Sequence, residues 1–223
     1  MTFRIEVFDT ATYATEAAGV IASHLPPSGS VVLTGGTTAE KIYPELASVP
    51  ADWSQLAIAF SDERCVPPHD EASNFRMASV LLLDVVQPKE VHRMPGEDDP
   101  EEGAEVYHQS IAPLVAAHFD LLLLGMGADA HIGAMFPHSP ALSEHQQFCR
   151  AVDRPDGMKG LTLTPPAMTT AKRILLLVTG EAKAATVQRA VQGGEPPDTC
   201  PVRLLADHPD TTFLLDRSAA AAL

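Results

Sequence analysis

The sequence predicts an α/β fold with a mainly parallel sheet flanked by helices. Three observations predict it. Short apolar runs alternate with segments of helical spacing, the pattern of strand–helix–strand units. The longest run, Phe119 to Met126, is broken only by Asp120 and Gly125, as expected of a strand buried on both faces. The chain has 223 residues, 45% apolar and 20% charged, which is ordinary globular composition with enough apolar side chains for a sizeable core. That length favours one domain spanning residues 1–223.

Each element follows in order. Thr10 to Leu25 has helical spacing and stops at Pro26-Pro27, where the missing N–H groups prevent continuation. Ser30 to Leu33 is a short apolar strand. Gly35-Gly36 breaks it, and Thr37-Thr38 can cap a helix running toward Leu46. Leu56 to Phe60 is a second strand, followed at once by polar Ser61-Asp62-Glu63-Arg64. Ser73 opens a helix that is apolar at Met77, Val80, Leu81 and Leu83. Pro100 to His118 is acidic early and apolar later, as in an amphipathic helix. Phe119 to Leu124 and Ile174 to Val178 are buried strands, and Glu181 to Val191 is a helix after Gly180. Thr212 to Leu215 is a last strand before an Ala-rich tail. Pro26 to Gly29, Glu97 to Gly103 and Gly193 to Pro201 are rich in Pro, Gly and acidic residues and are expected as surface loops.

Composition also sets exclusions. Cys65, Cys149 and Cys200 are odd in number, far apart and without a CxxC pair, which argues against a disulfide framework or a zinc knuckle. They suit a reducing compartment, and the first residues lack a basic, then apolar, leader pattern. A cytoplasmic location is expected. No apolar run approaches the length of a membrane span. The net charge of −14 disfavours nucleic acid as a partner, since phosphate contacts need clustered Lys and Arg. It also repels a small anion at long range, so a phosphorylated substrate would need local cations and oriented N–H groups. No heptad or apolar stripe marks an interface, so a monomer or weak homodimer is expected.

Polar clusters follow strand ends, where ligands collect in open α/β sheets. Thr34-Gly35-Gly36-Thr37-Thr38 can cradle a phosphate: glycines admit close backbone approach, a helix N-terminus offers free N–H groups, and hydroxyls add donors. A tight strand-to-helix turn with a Thr cap accounts for it equally well. Ser61-Asp62-Glu63-Arg64 with Ser73-Asn74 is either a charged site or a solvated loop with internal ion pairs. Gly125 to Gly133 formally matches GxGxxA, but Pro137 and Pro140 come too soon for the long helix that a dinucleotide fingerprint requires. Its His131 suits proton transfer near neutral pH, although a lone histidine is more often structural. Lys183, in Thr179-Gly180-Glu181-Ala182-Lys183, is a surface lysine or an anion contact at the sheet edge.

In this order the clusters resemble the 6-phosphogluconolactonase family, a relative of glucosamine-6-phosphate deaminases. The resemblance runs from about Val31 to Asp216. Thr34 to Thr38 is similar to the family's SGGST loop, and Phe60 to Pro67 with Ser73-Asn74 to its DER–VP…SN segment. Leu124 to His131 with Phe136-Pro137 is similar to LGMGxDGH…LFP, and Thr162 to Thr164 with Val178 to Lys183 to RxTxT and VTGxxK. The resemblance implies a Rossmann-like (NagB/RpiA-like) fold, no metal and no organic cofactor, and a small phosphorylated sugar lactone as substrate. It implies His131 as general base, Asp129 and Asp62 as residues orienting the imidazole or an arginine, and Arg64 or backbone N–H groups against the carbonyl oxygen. Gly35, Gly36, Thr37, Thr38, Gly127 and Lys183 would complete the substrate site.

Three positions depart from the pattern. Ala130 stands where the family has glycine, at a cost of about 1 kcal/mol or more if φ is positive there. Ile132-Gly133-Ala134 replaces Thr-Ala-Ser, and Gly160 replaces a phosphate-binding arginine. Lys159 is the adjacent substitute, without the bidentate fork. Other readings stay open: the deaminase/isomerase branch, a non-catalytic sugar-phosphate binder, and a nicotinamide-dependent oxidoreductase.

Overall fold

The computed structural model describes residues 3–223. In chain order the elements are β1 (Arg4–Phe8), α1 (Tyr13–Ser23), β2 (Gly29–Leu33), α2 (Thr37–Ser48), β3 (Leu56–Phe60), β4 (Asp62–Arg64) and α3 (Asn74–Ala78). A widened helical turn (Ser79–Leu83) joins α3 to α4 (Asp84–Val86). There follow β5 (Glu90–Val91), α5 (Pro100–Ala116), β6 (Leu121–Gly125), β7 (Cys149–Asp153), β8 (Lys159–Leu163), α6 (Pro165–Met168), β9 (Ile174–Val178), α7 (Ala184–Gln192) and β10 (Thr211–Asp216).

Seven strands form one parallel sheet in the order β1-β10-β9-β6-β2-β3-β5. Successive side chains on a strand face opposite ways, and both faces are apolar here. Val32, Leu122, Leu124, Leu176 and Phe213 enter one core with Tyr107 and Ile111 of α5 and Val187 of α7. Val31, Leu33, Leu121, Leu123 and Leu175 enter the other with Ile21 of α1 and Ile42 and Leu46 of α2. Each fully buried side chain of this size is worth about 1.5–3 kcal/mol, which is why consecutive leucines specify the central strands. Among the described residues no helix is long and apolar enough to cross a membrane.

The helices and central strands expected from the sequence are present, with ends shifted by a few residues. Segment 97–103, read as a loop, already turns into α5 at Pro100. Asp99 accepts hydrogen bonds from the Glu101 and Glu102 N–H groups, and the fixed φ of proline suits the first helical position. Sequence reasoning missed β1, β5 and a separate antiparallel sheet, β4-β8-β7. That small sheet turns the DER triplet into a strand: Asp62 pairs with Thr162, Glu63 with Leu161 and Arg64 with Gly160.

Candidate active site

From β2 the chain continues to β3 and β5 on one side, while β6, β9 and β10 lie on the other. The order reverses between β2 and β6, the place where open α/β sheets bind ligands. Loops after β2, β3, β6 and β9 converge there on a cavity of about 210 Å³.

The loop after β2 forms one wall. Gly36 has φ 91°, a left-handed value that favours glycine, and precedes α2. Thr37 and Thr38 begin that helix, so their N–H groups lack partners within it. No side chain caps α2, and Thr38 Oγ1 lies 2.9 Å from Thr179 Oγ1, across from β9. Gly35 serves packing: a Cβ there would stand 2.0 Å from Asn74 Oδ1. The loop therefore brings free N–H groups to the cavity wall, with Gly35 acting through Asn74.

The Asp62-Glu63-Arg64 strand divides its labour. Glu63 is buried and faces away from the site. It accepts from the N–H groups of Arg64, Asn74 and Phe75 (2.8, 2.7 and 2.8 Å) and from the Ser73 hydroxyl at 2.9 Å. Burial raises its pKa above the ordinary value, and those hydrogen bonds oppose the rise. Glu63 thus clamps the start of α3 onto β4, a role not foreseen from the sequence. Arg64 lines the cavity; its Nη1 donates to Ala72 O (2.8 Å) and Asn74 Oδ1 (2.6 Å), while its buried Nε has no protein partner. Asp62 also lines the cavity, but acts at one remove. Its Oδ2 accepts from Asn74 Nδ2 at 3.2 Å, and Asn74 in turn holds Arg64.

The loop after β6 carries a dyad. His131 Nδ1 lies 2.6 Å from Asp129 Oδ1, which also accepts from the His131 N–H at 3.2 Å. This pairing assigns the proton to Nδ1 and leaves a lone pair on Nε2. Partial burial of Asp129 opposes ionisation, but the His131 ring and backbone outweigh it and hold the carboxyl down at about 2. The Phe136 ring lies 4.4 Å from the imidazole, centroid to centroid. Gly127 makes the arrangement possible, since a Cβ there would stand 2.1 Å from His131 Nδ1. Ala130 does adopt positive φ (72°), and it is fully buried with its carbonyl accepting from Val202 N at 3.0 Å. Tertiary contacts thus hold an alanine in a glycine conformation, and the dyad still forms. Gly133 (φ 55°) has a related constraint, because a Cβ would come within 2.9 Å of Thr162 Oγ1.

Lys183 lines the cavity beside the dyad. Partial burial lowers its pKa, and the Asp129 carboxylate pulls it back up. Lys159 is a correction. Its side chain is 56% exposed and pairs with Asp153 at 2.5 Å, outside the cavity. Adjacent residues on a strand face opposite ways, so the neighbour of Gly160 cannot take its place. A second arginine besides Arg64 does line the cavity: Arg154, across the β7–β8 hairpin. No local signal marks it, because only the strand register brings it over Gly160. Among the described residues no three His, Cys, Asp or Glu side chains converge to hold a metal ion.

With this geometry in place, the comparisons decide the lineage. A family model described as glucosamine-6-phosphate isomerases/6-phosphogluconolactonase matches residues 10–214. The chain belongs to that family. Within the glucosamine-6-phosphate isomerase/6-phosphogluconolactonase family it is 34% identical to a 6-phosphogluconolactonase of Mycobacterium tuberculosis, over 100% of this chain and 99% of the relative. It superposes on the 6-phosphogluconolactonase from Trypanosoma cruzi with a TM-score of 0.88 and 26% identity, covering 100% of this chain and 98% of that one. A monomeric glucosamine-6-phosphate deaminase superposes as well, with a TM-score of 0.87 at 22% identity, covering 99% of this chain and 100% of that one. Both branches of the family thus share the fold, and the chemistry must be read from the site.

Proposed function

We propose that the chain hydrolyses 6-phospho-D-glucono-1,5-lactone to 6-phospho-D-gluconate, the lactone-opening step of the oxidative pentose phosphate branch. The observation that carries this reading is the dyad. His131 Nδ1 is committed to Asp129 at 2.6 Å, which frees Nε2 as a base in a cavity that also offers an anion-binding loop and Lys183.

Water is a poor nucleophile, so His131 Nε2 takes its proton as the oxygen attacks the lactone carbonyl carbon. The ionised Asp129 fixes the tautomer and stabilises the imidazolium that forms. Charge develops on the carbonyl oxygen, where Arg64 or backbone N–H groups offset it. Collapse of the tetrahedral intermediate breaks the bond to the ring oxygen, which takes the proton back from His131. The acid product then loses a proton to solvent. Gly36, the Thr37 and Thr38 N–H and hydroxyl groups, and Lys183 hold the 6-phosphate. Residues 1–223 act as one cytoplasmic domain, as a monomer or weak homodimer.

The test is hydrolysis of freshly generated lactone by wild type and His131→Ala, with the spontaneous rate subtracted. Fast turnover that falls by about 10²-fold or more in the variant is expected. Equal rates would remove His131 as the base. Ammonia release from glucosamine 6-phosphate without lactone turnover would move the chain to the deaminase branch.

A further inference from the structure

Arg154 is absent from the roles above, yet its placement is not that of a surface arginine. Its side chain is 11% exposed, and it lines the cavity that holds His131, Arg64 and Lys183. Three contacts fix it there. Nε and Nη2 both donate to Asp156 Oδ2, at 3.2 and 3.1 Å. The guanidinium carbon lies 5.7 Å from the Phe136 ring centroid. The aliphatic stem runs directly over Gly160: a Cβ at that position would meet Arg154 Cδ at 3.0 Å and Glu63 O at 3.1 Å. Gly160 is extended strand, with no positive φ, so what the position demands is the space and not the conformation. Arg154 Nη1 has no protein partner among the described residues.

We infer that Arg154, reaching the cavity across the gap left by Gly160, binds the phosphate of the substrate. This inference rests on the proposed lactone substrate. Two features favour the phosphate over the reacting carbonyl. First, Phe136 packs on both Arg154 and His131, and both hydrogen bonds of the guanidinium go to Asp156 rather than to the dyad. A cation directly against the imidazole would oppose the positive charge it must accept. Second, the substrate's phosphate is a dianion approaching a chain of net charge −14. A pre-oriented fork supplies a charge and paired donors that the α2 N-terminus and one lysine do not. Asp156 and Phe136 are positioning residues for that fork.

The experiment compares wild type, Arg154→Met, Arg154→Lys and Gly160→Val on two substrates, the phosphorylated lactone and the same lactone without its phosphate. Arg154→Met is expected to raise KM for the phosphorylated lactone by about tenfold or more, with kcat within about threefold. Turnover of the unphosphorylated lactone stays at the wild-type level. Gly160→Val, which keeps the arginine but fills its path, raises KM in the same way, and Arg154→Lys falls between. An unchanged KM in Arg154→Met, or equal losses on both lactones, overturns the inference. Calorimetric titration with 6-phosphogluconate supplies a readout free of catalysis: weakening by about tenfold in Arg154→Met is expected, and equal affinity overturns the inference. If wild type binds 6-phosphogluconate through Arg154 but opens no lactone, the functional reading fails and the phosphate contact stands.

Discussion

Replacing Gly127 by alanine tests the geometry of the dyad with one added carbon. The Cβ would stand 2.1 Å from His131 Nδ1, 2.3 Å from its Cε1 and 2.4 Å from Asp129 Oδ1. The imidazole cannot simply swing aside, because one edge is tied to Asp129 and one face lies on Phe136. It must retreat by about 1 Å, and a misplacement of about 1 Å in a reacting group costs on the order of 10²-fold in rate. That corresponds to about 2.7 kcal/mol on the activation barrier. The backbone at Gly127 does not have positive φ, so alanine fits the local conformation and the fold persists. Initial rates of lactone hydrolysis, paired with thermal unfolding, read both effects. kcat is expected to fall by about 10²-fold, with KM within about threefold because the phosphate loop lies across the cavity. A kcat within about threefold of wild type, in a protein that melts normally, would refute the claim that His131's position sets the rate.

Other perturbations separate the remaining parts. Asp129→Asn loses the carboxylate that fixes the Nδ1–H tautomer, so kcat should fall by about 10²-fold or more in the same assay. The Asp129 carboxyl sits at about 2, below its ordinary value, so its stabilising contact is complete above about pH 4 and is lost as pH falls toward 2. Its side chain is 44% exposed, and screening keeps the gain below about 1 kcal/mol. Urea unfolding should therefore give a wild-type advantage over Asp129→Asn at about pH 6 that shrinks at about pH 3, and a constant gap would contradict the depressed carboxyl. Glu63→Ala strands three donors at the start of α3 and the Arg64 N–H of β4, each costing about 1–3 kcal/mol, so urea unfolding should register a loss of at least about 3 kcal/mol. A loss under about 1 kcal/mol would rule out the clamp. Lys183→Ala should raise KM about tenfold, whereas Lys159→Ala should stay within about twofold; the reverse order would return Lys159 to the site.

The sequence by itself determined the layered α/β architecture and picked out most of the residues that line the candidate site. Consecutive apolar residues at Leu121–Leu124 and Ile174–Val178 can be satisfied only by strands covered on both faces, so periodicity sufficed for the core. The ordered clusters around Gly36, Arg64, His131 and Lys183 fall at strand ends and share one cavity, because a parallel sheet gathers those ends on one edge. Local signals could not assign labour within a cluster. Glu63 and Arg64 are neighbours in sequence, yet the alternation of the β4 strand sends the first to clamp α3 and the second to the cavity. Nor could they locate the arginine near Gly160. Lys159 is adjacent in the chain but points outward with Asp153, while Arg154 arrives from the facing side of a hairpin whose register no local pattern encodes. Ala130 is the converse case. The sequence raised the possibility of strain, but only burial and the Val202 hydrogen bond decided that an alanine would be held at φ 72°, because tertiary packing supplies the energy that local preference withholds.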